Sequence, residues 1–351
     1  MDPVLFKAAE AGNIDPFEKY QTCLDQLLTP DENTILHVYL GNQSTKPEST
    51  DFVDIILEMC PPLLFQANKR EETPLHLAAR YGLSNVVRVL IDRAKAVPAD
   101  PESGVTDEKK MLRMTNEEQD TALHVAARNI QAQVAEILTK EDPELSYSAN
   151  VHGETPLYIA ASRGTLVIDE ILTNCISVDY GGPNGRTALH AAIREGDPVT
   201  ARKLYSGTVE VLLEYDASAA YIAETEKKRT ALHIAAIQGR VDVMKDIVSG
   251  CPACCELVDN RGWNALHYAV ASKDIEAFEQ CLEIPELARL GTKKDDKGNT
   301  PFHLIAALAH KQKQRHSVFL KGPLYGLNKR KLSVDDIYRG NLGEIQVINP
   351  L

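Results

Sequence analysis

The chain of 351 residues lacks the short motifs on which most enzyme chemistry depends. No glycine-rich loop ends in Lys-Ser or Lys-Thr to cradle a nucleotide phosphate. No GxSxG stands where a nucleophilic serine would be held, and no HExxH offers a zinc site. Catalysis is therefore not expected, and no catalytic, cofactor-binding or metal-binding residue is assigned. No stretch approaches the roughly eighteen apolar residues of a membrane span, and the first residues enter a helical pattern without a secretory leader. Basic residues are in deficit, with 38 Lys plus Arg against 50 Asp plus Glu, for a formal charge of -12. Binding to phosphate backbones requires a basic surface, so nucleic acid is not an expected partner. The seven cysteines are expected to be reduced, which places the chain in the cytoplasm or nucleus. Cys251-Pro-Ala-Cys254-Cys255 resembles half a metal site, but a second CxxC is missing. Cys60 stands as far before its Thr73 as Cys251 does before Asn264, and Asp142 fills the same slot before Thr155, which marks an end-of-helix position.

What the chain does have is one phrase, repeated. Thr73-Pro-Leu-His76 returns as Thr34-Ile-Leu-His37, Thr121-Ala-Leu-His124, Thr155-Pro-Leu-Tyr158, Thr187-Ala-Leu-His190, Thr230-Ala-Leu-His233, Asn264-Ala-Leu-His267 and Thr300-Pro-Phe-His303. The first residues lie 39, 48, 34, 32, 43, 34 and 36 positions apart, a period that means a stacked array rather than a single globule. Threonine is a good N-cap, and Pro74, Pro156 and Pro301 occupy a first turn where no helical hydrogen bond is lost. Paired alanines, as in Ala78-Ala79 and Ala126-Ala127, keep the helix slim. Gly82, Gly164, Gly196 and Gly239 suit the left-handed residue that ends it. Apolar residues at helical spacing follow, such as Val86, Val87, Leu90 and Ile91, and then a turn rich in Asn, Asp and Gly. Two worn copies extend the register: Leu5, Ala8, Ala9 and Gly12, with Pro3 in the threonine slot, and Asn328 with Ser333.

These residues resemble the ankyrin repeat from about Pro3 to Ile337. The resemblance implies an all-α solenoid of nine helix pairs and a truncated tenth, with β-turn fingers between them. Repeats start near 3, 34, 73, 121, 155, 187, 230, 264, 300 and 333, the array fills residues 1–337, and 338–351 form a tail. Insertions fall at about 95–115 and 204–225, the second expected to lengthen or interrupt a helix, and Asn42–Thr50 is a third irregular stretch. The family role of the histidine is to reach back to the helix start, so His76, His124, His190, His233, His267 and His303 read as structural, with Thr73, Thr121, Thr155, Thr187, Thr230 and Thr300. Tyr158 in one copy argues the same way, since a tyrosine would not readily replace a metal ligand or a base.

Positions seven and eight after the threonine lie on the face that the family uses for partners. They place Arg80, Tyr81, Arg128, Arg163 and Arg194 on four successive repeats, where the arginines read either as solvated helix-end charges that complement the helix dipole or as a candidate track for a protein with acidic segments. Replacing Arg128 and Arg163 by Glu is expected to abolish partner capture without changing the melting curve. The opening Met1-Asp-Pro-Val-Leu-Phe-Lys-Ala-Ala, the stretch Tyr180-Gly-Gly-Pro-Asn-Gly-Arg and the close Leu327-Asn-Lys-Arg-Lys-Leu-Ser are similar to the plant accelerated-cell-death ankyrin proteins. That similarity implies a non-catalytic scaffold in plant defence and cell-death signalling. The alternative is the cytosolic portion or splice form of a membrane signalling protein whose Pro-Gly-Gly membrane domain is absent here. A metal-binding or enzymatic protein is the remaining rival. Direct membrane insertion is not expected, although association with the cytosolic face of the plasma membrane through a membrane-bound relative fits the resemblance.

Overall fold

The computed structural model describes residues 1–43, 49–97, 106–144, 148–176, 178–194, 201–272, 275–312 and 326–340. The expected tail beyond 340, the centres of the Asn42–Thr50 stretch and of the first insertion, Gly196, and the Arg194 side chain lie outside that description. The chain divides into two compact bodies, Met1–Gly182 and Pro183–Leu351.

In the first body the leading helices of successive repeats are Pro3–Ala11, Ile35–Gly41, Pro74–Tyr81, Ala122–Arg128 and Pro156–Arg163. Each packs against its neighbour in the series. The trailing helices Asp51–Met59, Ser84–Ala96, Ala132–Glu141 and Ile168–Asn174 form a second layer, and in the first repeat two short 3-10 turns, Asp15–Tyr20 and Leu24–Gln26, take that place. In the second body the leading helices are Ala188–Arg194, Ala231–Ile237, Ala265–Ala271, Pro301–Gln312 and Val334–Tyr338, with Ala201–Tyr215, Val241–Gly250 and Ile275–Leu282 trailing.

The repeated phrase is buried almost completely, which explains its recurrence. Leu75, Ala78 and Ala79 are wholly inaccessible, as are Leu123, Ala126 and Ala127. A leucine so placed contributes about 1.5–3 kcal/mol, and the alanines let the next helix approach. No repeat could bury this face alone, so neighbours stabilise one another.

Helix ends differ from expectation in detail. Pro3 does not occupy a cap; Asp2 caps the first helix, its carboxylate accepting from the Val4 amide at 2.8 Å, and Pro3 opens the first turn. Gly12, Gly82 and Gly239 are left-handed, but Gly164 lies at φ 121°, ψ -179°, and in the fourth repeat Ile130 takes the left-handed turn at φ 58°. The second insertion lengthens a helix, since Tyr205-Ser-Gly-Thr208 lies inside Ala201–Tyr215, and a 3-10 turn, Ala217–Tyr221, follows. The first insertion contains its own helix, Asp107–Arg113, which buries Met111 and Leu112. Arg113 clamps it to the end of the next repeat's trailing helix, with Nε 2.6 Å and Nη2 3.0 Å from the two oxygens of buried Asp142.

Candidate functional site

The leading residue and the histidine three residues on form a reciprocal cap in five repeats, with Asn264 in place of threonine before His267, and Thr187 makes the ring-side bonds to His190. The backbone N–H of Thr73 donates to His76 Nδ1 at 3.1 Å, and the same bond is 3.1 Å at Thr121 and 3.0 Å at Thr230. Thr300 and His303 repeat the ring contact, at 3.1 Å from the amide. Because Nδ1 accepts, the neutral ring carries its proton on Nε2. That proton is given to the carbonyl just before the next threonine. His37 reaches Glu72 at 2.7 Å, His76 reaches Asp120 at 3.0 Å, His124 reaches Glu154 at 3.2 Å, His190 reaches Arg229 at 3.2 Å and His267 reaches Asn299 at 3.0 Å. One ring thus closes its own helix and ties it to the next repeat. His233 and His303 leave Nε2 buried without a partner among the described residues. Burial pushes the rings below the usual histidine range, to about 4 at His124, His190 and His233, so they stay neutral.

Two copies depart from this pattern. In the fifth repeat Thr155 still accepts from the Tyr158 amide at 3.2 Å, while its hydroxyl donates to Gly181 O at 2.9 Å. Tyr158 fits because Gly182 has no side chain: a Cβ there would lie 2.1 Å from the ring. In the tenth repeat Ser333 and Asp336 form the ordinary acidic capping box. The spacing Ser-x-x-Asp could have revealed it in the sequence.

The fingers are built on one side chain each. Asn68 Oδ1 accepts from the amides of Arg70 and Glu72, and Asn116, Asn150, Asp259, Asp295 and Asn328 accept from the amides two and four residues on in the same way. The residue three after each anchor is left-handed. Glycine fills that place at 153, 262 and 298, but Glu71, Gln119 and Lys331 fill it elsewhere, at φ 58 to 61°. The two anchor bonds hold these non-glycine residues in a conformation that side chains disfavour. Backbone bonds then join finger to finger. In the first body they run from Lys69 to Asp31, Glu117 to Arg70 and Val151 to Glu118. In the second they run from Thr225 to Asn184, Asn260 to Lys227, Asp296 to Arg261 and Lys329 to Lys297.

Of the arginine track, Arg80 and Arg128 stand on adjacent packed helices, and each pairs with a buried carboxylate of its own repeat. Arg80 holds Glu72, whose burial raises its pKa but whose partner arginine outweighs that and keeps it ionised. Arg128 Nη2 lies 2.8 Å and 3.1 Å from the oxygens of Asp120, and Nη1 lies 3.5 Å from Glu154. Asn150 Nδ2 completes the Asp120 shell at 2.8 Å. Both guanidinium side chains remain 32% exposed. Tyr81 is half-buried, and Arg163 is exposed and makes no ion pair with a described residue. The expectation that Arg128 can be reversed at no cost to stability is corrected: a glutamate there would confront buried Asp120 and leave it unpaired. The signal was an acid just before the threonine and an arginine eight residues after the acid, as in Glu72…Arg80 and Asp120…Arg128.

The finger at Asn260-Arg-Gly262 was legible in the sequence, but the cluster built on it was not. Arg261 lies over the single tryptophan, Trp263, at 4.2 Å, bonds Asp259 at 3.0 Å and the Tyr268 hydroxyl at 2.9 Å, and Trp263 Nε1 donates to Asp295 at 3.1 Å. Cys60 and Cys251 each end a trailing helix and precede a 3-10 turn, and Cys254 and Cys255 are buried in the turn after Cys251. Burial pushes the Cys281 thiol up to about 12. Among the described residues no three His, Cys, Asp or Glu converge as a metal site, and no helix is long and apolar enough to cross a membrane.

Comparison with known proteins places this geometry. A family model described as ankyrin repeats in three copies matches residues 46–149, 123–218, 168–256 and 201–284. Protein ACCELERATED CELL DEATH 6 of Arabidopsis thaliana is 28% identical over 170 residues, covering 47% of this chain and 24% of that protein. An ankyrin repeat-containing protein of the same plant is 28% identical over 136 residues, covering 36% of this chain and 22% of the relative. The Neurogenic locus Notch protein of Drosophila melanogaster is 34% identical over 139 residues, covering 38% and 5%. The match thus spans a quarter or less of each of these curated relatives. The crystal structure of the ankyrin repeat domain of Bcl-3 superposes with a TM-score of 0.53 at 19% identity, over 77% of this chain and 99% of that one.

Proposed function

The chain belongs to the ankyrin-repeat family, and from that premise we propose that it is a non-catalytic scaffold whose fingers and leading-helix ends dock other proteins in plant defence and cell-death signalling. The observation that carries the reading is the pairing of buried and exposed surface. The repeat signature is spent on caps and core, while the finger tips Lys69, Arg70, Glu117, Glu118, Lys329 and Lys331 are exposed on a backbone ladder. Rigid presentation of varied side chains suits recognition, because little conformational freedom is lost on binding. The setting in defence and cell death draws on the likeness to the Arabidopsis accelerated-cell-death protein. The alternative, that the array is the cytosolic portion of a longer membrane signalling protein held at the plasma membrane, draws on the resemblance read from the sequence, and sequencing of full transcripts separates the two.

Within the face first read from the sequence, Arg163 and Tyr81 are the lead contacts for a protein with acidic segments. Arg80 and Arg128 contribute only through their outer edges. Cross-linked capture from plant cells tests the scaffold reading. Arg163→Glu with Tyr81→Ala is expected to lose partners that the parent retains at an unchanged melting temperature. Recovery no greater than that of an unrelated helical protein would refute it.

A further inference from the structure

The finger tips of the two bodies differ in sign. In Met1–Gly182 they expose Asp31, Glu32, Glu71, Glu117 and Glu118 against Lys69 and Arg70. In Pro183–Leu351 the tips carry Lys227, Lys228, Lys297, Lys329, Arg330 and Lys331 against exposed Glu226 and Asp296. The basic tips belong to three fingers of one ladder, joined by the backbone bonds Asn260 to Lys227, Asp296 to Arg261 and Lys329 to Lys297; the Asp259–Trp263 finger lies between the first and the second, and its Arg261 is already paired with Asp259. Lys228, Lys297, Lys329 and Lys331 make no ion pair with a described residue, so their charges are not consumed within the body. In a chain of formal charge -12 this is a local reversal of sign.

We propose that this ridge binds an extended acidic segment of a partner protein, with one carboxylate set against each basic finger. The proposal rests on the scaffold reading and assigns it a second face, apart from the leading-helix arginines. Spacing makes it specific. Packed helices, and so the fingers they carry, repeat about every 10 Å. An extended peptide advances about 3.3 Å per residue, so every third side chain meets a new finger. With the Asp259–Trp263 finger intervening, the matching ligand is a strand with Asp or Glu at about i, i+6 and i+9, a set contained in one that carries an acid at every third position. A nucleic acid is the poorer fit, because Glu226 and Asp296 interrupt the positive row and would face a continuous line of phosphates.

Fluorescence anisotropy on the full chain decides the matter with three labelled probes: the peptide (Glu-Gly-Ser)5, the same residues with the glutamates in one block, and a single-stranded DNA 15-mer. The periodic peptide is expected to bind more tightly than the block, and to weaken about tenfold in the variant Lys329→Glu, Arg330→Glu, Lys331→Glu. Glu32 and Glu71 already occupy the left-handed slot of Lys331, so that change is compatible with the finger backbone. Lys69→Glu with Arg70→Glu, on the other body, is expected to change nothing. If the glutamate variant fails to fold, as read by Trp263 fluorescence, the glutamine triple at the same positions serves instead. Equal affinity for block and periodic peptides, undiminished binding in the triple variant, or tighter binding of DNA would each overturn the proposal. Retention of cellular partners without peptide binding would remove this face and leave the scaffold standing, whereas loss of both would remove both.

Discussion

Acid should unravel this protein through its histidines. The folded chain keeps His124, His190 and His233 neutral with pKa values of about 4, while in the unfolded chain the same rings titrate near 6.5. Between those values the unfolded state binds more protons, so stability is complete above about pH 6.5 and is lost as the pH falls toward 4. At pH 5 each ring removes about 2 kcal/mol, and the three together remove on the order of 6 kcal/mol, comparable with the whole stability of an ordinary domain. His37, His76, His267 and His303 are lowered in the same direction and add to the loss. Glu72, Glu224 and Asp259 do not confuse the window. Burial raises them, but arginine and hydrogen-bond partners hold them below the usual carboxylate range, so they titrate at lower pH. Urea unfolding at pH 7.5, 6 and 5, followed by circular dichroism and by Trp263 emission, measures the effect. Replacing His124, His190 and His233 by glutamine, which can still close a capping box, should lower stability at pH 7.5 but flatten its pH dependence. If that variant loses as much stability between pH 7.5 and 5 as the parent, burial of the rings is not the cause.

Gly182→Ala should destabilise the first body by about 1–3 kcal/mol through overlap with the Tyr158 ring, and Tyr158→Ala in the same chain should recover much of that difference in a double-mutant cycle. Arg113→Ala should cost about 1–2 kcal/mol in urea unfolding, because buried Asp142 loses its bidentate partner; it should also open the Asp107–Arg113 helix to limited proteolysis, and unchanged cleavage would show that the insertion is held otherwise. Arg128→Glu should lower the melting temperature while Arg163→Glu does not, since only Arg128 is paired with a buried carboxylate, and equal melting of the two would remove Asp120 from the account.

The architecture was written in the chain because its causes are local and repeated. A threonine cap, a first-turn proline and a pair of alanines act within one turn of helix, and copying them down the sequence specifies the stack without knowledge of any neighbour. The reach of His76 back to Thr73 is of this kind. Its bond forward to Asp120 O is not, since the two lie 44 residues apart and meet only when repeats pack. Tertiary structure likewise decided that Arg80 and Arg128 answer buried carboxylates, that the segment through Tyr205 runs on as helix, and that Tyr158 needs Gly182. It also decided that charges scattered through separate turns become one row, because finger stacking turns positions far apart in sequence into neighbours about 10 Å apart. Local capping and hydrophobic period thus determined what each repeat is, and only packing determined what the repeats jointly present.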